Sequence, residues 1–360
     1  MKRQNASDER WLPLPGAPGK VLRESQISFA LNLGFNAVMK EQVLTLLKEH
    51  QPEFVSGELI CKNLGVSRTA VWKHIQTLRA EGYAIISQPH AGYRLLAGPD
   101  RLYPQEILSG LKTEFIGRRI FYYAQAPSTN VLARELALAG APDGALVVAE
   151  EQTGGRGRLG RGWFSPFGKG IWCSLILYPP VNPVEAPPLT MLTAVAVARA
   201  VRQAAGVSPG IKWPNDLLLG DQKICGILTE MSAEMERINY LIIGTGINVN
   251  IEDFPGDIKN VATSLKVFVG RAVSRVKLLQ AYLQEMELLY RIWLKEGFPP
   301  VLKLWKELCV TLHRPVRVSS LKESVEGWAE DVDAQGNLIL RTADGAVRRI
   351  TAGEVSLRPC

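Results

Sequence analysis

Cysteine is scarce in this chain, with five in 360 residues. Cys61, Cys173, Cys225, Cys309 and Cys360 are odd in number, scattered, and never spaced as a C-x-x-C pair. Such a pattern indicates neither a disulfide framework nor a zinc site, and it suits a reducing compartment. A long apolar run is missing too. The longest, Leu189 to Val201, contains Thr190 and Thr193 and meets Arg199, so it falls short of the ~20 residues a membrane span needs and reads as a buried helix. Met1 to Leu14 lack the apolar segment of a secretory signal, and no lipidation motif opens the chain, so a cytoplasmic location without a membrane partner is expected. Acidic residues are outnumbered, 35 against 42 basic ones, for a net charge of +7. That excess suits a polyanionic partner such as DNA or nucleotide phosphates without proving one.

What is present describes an ordinary globular protein, 46% hydrophobic and 21% charged. Its length predicts two or three domains. Residues 1–38 carry Pro13-Leu14-Pro15-Gly16 and no steady period, and are read as a disordered N-terminal extension. Met39 stands where the pattern changes, which suggests a dispensable extension or a start assigned too early. From there Lys40 to Lys48 reads as an amphipathic helix. Turn clusters at Ala97-Gly98-Pro99-Asp100 and His313-Arg314-Pro315 divide the remainder into units over 39–98, 103–311 and 312–360. The middle unit alternates strand-like pieces (Ala145 to Ala149, Ile171 to Leu177, Lys223 to Glu230, Tyr240 to Val249) with helical ones (Asn130 to Leu138, Thr190 to Ala205), an α/β pattern followed by a helical run from Val276 to Leu308. The last unit is all short strands and predicts a small β-barrel.

The first of these units contains a helix-turn-helix. Gly57 to Leu64 and Arg68 to Glu81 read as helices around the turn Gly65-Val66-Ser67, with Ser67 as N-cap of the second. Val71, Ile75 and Leu78 form its buried stripe, leaving Arg68, Thr69, Lys73, Gln76 and Arg79 on the face a major groove would meet. Trp72 is read as packing. Tyr83 to Ile86 and Gly92 to Leu96 flank Gln88-Pro89-His90-Ala91 as the hairpin wing of a winged helix-turn-helix. A module used only for dimerisation, with its cations merely solvated, is the competing reading.

The strongest signal is Glu151 to Pro166, in which Arg156, Arg158 and Arg161 interleave with five glycines. Glycine lets backbone approach a ligand, and arginine grips carboxylate or phosphate oxygens in bidentate fashion, so this loop fits a site where two anions meet. Gly155-x-Gly157-x-x-Gly160 satisfies the dinucleotide fingerprint, but Trp163-Phe164-Ser165-Pro166 continues no helix and Pro179 and Pro180 stand where the acidic residue belongs. The chain also has no Gly-Lys-Ser/Thr, so a Walker-type loop is excluded.

Five blocks in series carry a resemblance: Ser128-Thr129-Asn130, the Gln152 to Gly168 loop, Lys212-Trp213-Pro214-Asn215-Asp216, Lys223 to Glu230, and Gly244-Thr245-Gly246-Ile247-Asn248. With the helix-turn-helix ahead of them, the chain from Met39 resembles the bifunctional biotin–protein ligase and biotin operon repressor family. The resemblance implies a winged helix-turn-helix, a central mixed-sheet ligase domain like that of class II synthetases, and an SH3-like C-terminal β-barrel. It implies that biotin carboxylate attacks the α-phosphorus of MgATP, and that a lysine of a biotin carboxyl carrier protein, from acetyl-CoA carboxylase or a related biotin enzyme, then attacks the biotinyl-adenylate.

The same resemblance assigns roles. Ser128, Thr129, Asn130, Gln152, Gly155 and Gly226 border biotin, Arg156 and Arg158 close over the adenylate, and Lys223 neutralises the reacting carboxylate. Arg161 faces pyrophosphate, Trp163 packs on adenine, Lys212, Asn215 and Asn248 border the nucleotide, and Asp216 is the expected magnesium ligand. Glu354 and Arg358 sit where the barrel leans toward the nucleotide. Each residue has a plainer reading: Ser-Thr-Asn caps helices, Trp-Pro-Asn-Asp makes turns, and a buried tryptophan is usually core. Operator DNA would be met by Arg68, Thr69, Lys73 and Gln76, with a homodimer forming when biotinyl-adenylate is bound. A lipoate or octanoate ligase and a ligand-sensing repressor without turnover remain as alternatives at this stage.

Overall fold

In the computed structural model, residues 11–13, 21–23, 38–319, 324–351 and 353–357 are described. The chain divides into two compact units, Met1–Pro99 and Asp100–Cys360. Within the expected extension, β1 (Trp11–Pro13) pairs antiparallel with β2 (Val21–Arg23); the other residues before 38 lie outside the described set.

The helical core of the first unit follows from apolar spacing and capping. Residues 38–49 form α1. In α2 (Gly57–Leu64) the Ser56 hydroxyl accepts from Leu59 N–H at 3.1 Å, and Gly65 ends the helix in the left-handed region that glycine tolerates. The expected cap of α3 (Arg68–Ala80) is present, Ser67 Oγ accepting from Ala70 N–H at 3.2 Å. Val43, Leu47, Ile60, Val71, Ile75 and Leu78 close the core under the hairpin of β3 (Ala84–Gln88) and β4 (Gly92–Ala97). Val55 bridges Tyr93 as a third short strand. Gly92 has no substitute there, since a Cβ would lie 2.1 Å from the Val55 carbonyl oxygen.

Two sequence readings fail in this unit. Trp72 does not pack inward; it is 53% exposed on α3. Arg79 does not face outward freely, because it donates to Ile85 O at 3.0 Å and to Ser87 Oγ at 3.4 Å, bracing the hairpin.

The second unit is built on a seven-stranded sheet preceded by α4 (Pro104–Gly110). Its elements are β5 (Ile120–Tyr123), α5 (Thr129–Leu138), β6 (Ala145–Ala149), β7 (Gly170–Leu177), α6 (Pro188–Ala205), β8 (Gly210–Lys212), β9 (Asp216–Leu219), β10 (Gln222–Glu234) and β11 (Arg237–Asn248). The order is β5-β6-β7-β11-β10-β9-β8, with only β5 and β6 parallel among these ladders. The central strands alternate between two cores, as a pleat requires when both faces are covered. Leu146, Val148, Leu175 and Ile243 join the large core with α6 and α8, whereas Ala145, Val147, Ile176 and Ile242 meet α5.

Helix α6 has the length and composition of a membrane span, but here it is a core helix with Leu189 to Ala198 almost wholly buried. After α7 (Leu265–Val269), the run predicted as one helix is two, α8 (Arg275–Glu296) and α9 (Pro299–Leu308), separated at Gly297 with φ of 76°. Strands β12 (Pro315–Ser319), β13 (Ser324–Val332), β14 (Leu338–Arg341), β15 (Val347–Ile350) and β16 (Glu354–Ser356) form a five-stranded antiparallel sheet in the order β15-β14-β13-β12-β16. It is tied to the larger sheet where Trp213 Nε1 donates to Gly336 O at 2.9 Å.

A buried ion pair fixes the start of this unit. Arg275, 1% exposed at the first turn of α8, holds Glu150 at 2.8 Å and Asp100 at 3.2 Å, while Glu150 also accepts from Leu102 N–H at 2.8 Å. Buried charges persist when they are paired and hydrogen-bonded in this way.

Candidate active site

One cavity of about 600 Å³ opens where the arginine–glycine loop, the start of α5, and strands β9, β10 and β11 converge, with the C-terminal strand β16 at its border. Ser128, Thr129, Asn130, Gln152, Arg156, Arg158, Arg161, Trp163, Lys212, Asn215, Asp216, Lys223, Gly226 and Asn248 all line it. Gly155 lies behind this wall, where a Cβ would stand 2.6 Å from Trp163 O.

The polar end begins at α5. Ser128 occupies the N-cap position, yet its hydroxyl makes no capping bond. The cap is supplied from across the loop, with Gln152 Oε1 accepting from Thr129 N–H at 2.8 Å and from Thr129 Oγ1 at 3.1 Å. Gln152 in turn donates to Ser165 Oγ at 3.0 Å. Ser174 donates to Thr129 and Asn130, at 2.8 and 2.6 Å. Asn130 is fully engaged, since its amide nitrogen also donates to Glu230 at 2.7 Å and its oxygen lies where Gly244 leaves room. It braces the wall rather than offering a free amide to a ligand.

The cationic end is more tightly organised than the motif suggests. Lys223 Nζ lies 2.6 Å from Asp216 Oδ1 and 5.1 Å from the centre of the Trp163 ring, so ammonium, carboxylate and indole share one corner. Arg158 donates to Asn215 Oδ1 at 3.2 Å and to Gly353 O at 3.3 Å. Asn215 cannot turn away, because its own amide nitrogen donates to Ile227 O at 2.8 Å. The Asn215-Asp216 pair therefore orients two cations, beyond the nucleotide and magnesium roles expected of it. Asn248 likewise ties strand to loop, donating to Thr263 O at 3.1 Å.

Glycines set the floor. A Cβ on Gly246 would meet Trp163 Nε1 at 2.5 Å, and one on Gly226 would meet Trp163 Cζ3 at 3.0 Å and Lys223 Nζ at 3.3 Å. Only bare backbone lets the indole lie against the sheet. Burial pushes the neighbouring Cys173 thiol up to about 12, which keeps it a neutral wall residue at physiological pH.

Some lining residues carried no sequence signal. Phe254 lies with its ring tilted against that of Phe164, ring centres 6.3 Å apart, and Gly353 and Val355 come from the C-terminal segment at β16. The Glu354 side chain and Arg358 lie outside the described residues. No group of three metal-ligating side chains occurs among the described residues. Far from this cavity in sequence, Arg68, Thr69 and Lys73 are exposed on α3, with Gln76 half-buried beside them.

A seven-stranded sheet with a cationic pocket, preceded in the chain by a helix-turn-helix, narrows the class of protein. The chain matches the biotin/lipoate A/B protein ligase family over residues 121–248, a helix-turn-helix domain over 40–94, and the biotin protein ligase C-terminal domain over 311–358. It is 42% identical to the bifunctional ligase/repressor BirA of Bacillus subtilis over 89% of this chain and 99% of that one, and 32% identical to BirA of Escherichia coli over 85% and 94%. Among solved structures, the biotin protein ligase from Aquifex aeolicus in complex with biotin and ATP is similar, at 27% identity and TM-score 0.59, covering 68% of this chain and all of that one. The chain belongs to the biotin–protein ligase family, in its bifunctional ligase/repressor form.

Proposed function

We propose that this chain joins biotin to a carrier-protein lysine by way of biotinyl-5'-adenylate, and that it represses transcription in response to biotin. The carrying observation is the corner formed by Lys223, Asp216 and Trp163, with Arg158 held nearby by Asn215. The chemical difficulty is the approach of a carboxylate to a triphosphate. Cations already held in position lower that barrier because they need not reorganise as charge develops. Biotin's carboxylate oxygen attacks the α-phosphorus and pyrophosphate departs; the carrier lysine amine then attacks the acyl carbon and AMP departs.

In this reading Lys223 and Arg156 hold the carboxylate, Arg158 and Arg161 the phosphates, and Ser128, Thr129 and Gln152 the ureido end of biotin, bounded by Gly155 and Gly226. Trp163, Lys212, Asn215 and Asn248 border the nucleotide. Asp216 is the residue that would hold magnesium, and the ion would supply neutralisation of phosphate charge. Arg68, Thr69, Lys73 and Gln76 face operator DNA, and two copies pair on a palindromic site once the adenylate is bound. ATP, DNA and carrier protein meet in the cytoplasm, where this reading places the chain.

The test is mass spectrometry of a biotin carboxyl carrier domain after incubation with the protein and MgATP, with biotin in one arm and lipoate in another. A biotinyl adduct on one lysine in the first arm alone is expected. An adduct only with lipoate, or none with either, would overturn the assignment. A mobility shift unaffected by biotin plus ATP would remove the regulatory half.

A further inference from the structure

The recognition face of α3 carries more than the cations and amides its sequence advertises. Buried Val71, His74, Ile75 and Leu78 define the inward stripe, and the opposite arc presents Thr69, Trp72, Lys73, Gln76 and Thr77. Trp72 stands one turn after Arg68 and one turn before Gln76, at the positions i+4 and i−4 that share a helix face. Its side chain is 53% exposed, so a large apolar indole lies in water at the middle of a polar surface. The helix holds Arg68, Lys73 and Arg79 and no Asp or Glu, so no carboxylate of the helix itself opposes a phosphate beside the indole. Arg79 is withdrawn to the hairpin, so the helix face around Trp72 is made by Thr69, Lys73 and Gln76, with Arg68 one turn before. The Ser67 cap and the buried stripe hold the helix rigidly beneath it.

We infer that Trp72 is a specificity-determining residue for DNA: its indole packs against the 5-methyl group of thymine in the major groove. The chemistry is complementary. Phosphate contacts from Arg68 and Lys73 hold the helix in register but carry no sequence information, whereas an apolar side chain discriminates thymine by its methyl group. An exposed indole gains by leaving water only where an apolar group awaits it. This assignment rests on the repressor reading of the first unit.

The experiment uses the full chain with biotin and MgATP. Duplexes retained from a random-sequence pool by the wild-type protein are footprinted, and each protected thymine is replaced by deoxyuridine. Removing a contacted methyl should weaken wild-type binding about fourfold. Trp72→Ala should bind the thymine and uracil duplexes equally, at an unchanged salt slope, while Trp72→Phe retains part of the preference and both variants biotinylate the carrier domain at the wild-type rate. Equal thymine preference in wild type and Trp72→Ala would overturn the inference while leaving DNA recognition intact. Failure of the wild type to enrich any sequence would overturn the repressor reading and this inference together. A variant with normal thymine discrimination but altered self-association in sedimentation would assign the indole to a second copy of the chain instead.

Discussion

The cavity of the second unit and helix α3 of the first both carry arginine and lysine, but they hold them in opposite ways. In the pocket, each described cation contact has a dedicated partner: Asp216 for Lys223 at 2.6 Å, Asn215 and Gly353 for Arg158. On α3, Arg68 and Lys73 project from a capped helix into solvent. Chemistry needs charge fixed to within an ångström of where it develops, whereas searching a polyanion needs only charge of the right sign on an accessible face. The two regions should therefore respond differently to substitution and to salt.

The largest effect is expected at the fixed cation. Lys223→Met should lower biotin-dependent ATP–pyrophosphate exchange about 10²–10³-fold, the scale seen when one preorganised donor is lost, with circular dichroism unchanged. A loss of under threefold would show that the corner is not where charge develops. Next comes Gly246→Ala, whose Cβ would sit 2.5 Å from Trp163 Nε1. Displacing the indole should raise KM for ATP by about tenfold or more, in line with the ~1–3 kcal/mol cost of overpacking. An unchanged KM would mean the indole moves away from the pocket freely.

On the other side of the comparison, Arg68→Ala should weaken binding to nonspecific duplex only a fewfold and make the log–log salt dependence shallower by about 0.9, the slope of one phosphate contact. Carrier biotinylation should not change. The smallest effect concerns pH. Burial, with Lys40 nearby, lowers the pKa of His74 below its usual value of 6.5. The unfolded chain then binds a proton the folded unit resists, so the helix-turn-helix loses stability as pH falls below about 6.5 and keeps it above. Thermal unfolding of wild type and His74→Gln across that range checks this, with the variant expected to show a flatter profile between pH 7 and 5.

Local chemistry was legible in the sequence and register was not. Ser67 reads as a cap because capping needs only three neighbouring residues, and the arginine–glycine loop announces two anions by composition alone. The Lys223–Asp216 contact depends on the β9–β10 hairpin, where a register shift falls between Lys223 and Cys225; no spacing rule supplies that. The same limit hid Gly353 and Phe254, which reach the pocket from distant segments. Strands of three or four residues such as β8 and β9 are too short to show a period. Trp72 reads as packing for a different reason: aromatic residues usually bury, yet the stripe of Val71, Ile75 and Leu78 already excludes position 72 from the inward face.

The Arg275 cluster carries a further consequence for where this ligase can be cut. Glu150, bound by that guanidinium, also has its carbonyl bonded by Gly168 N–H at 2.9 Å, and Arg275 reaches Gly170 O at 3.2 Å. Both feet of the arginine–glycine loop thus stand on one buried cation, whose remaining carboxylate is Asp100, the opening residue of the second unit. A ligase fragment trimmed beyond Asp100 would strip a counter-charge from the footing of the arginine–glycine loop, whereas one beginning at Pro99 keeps it.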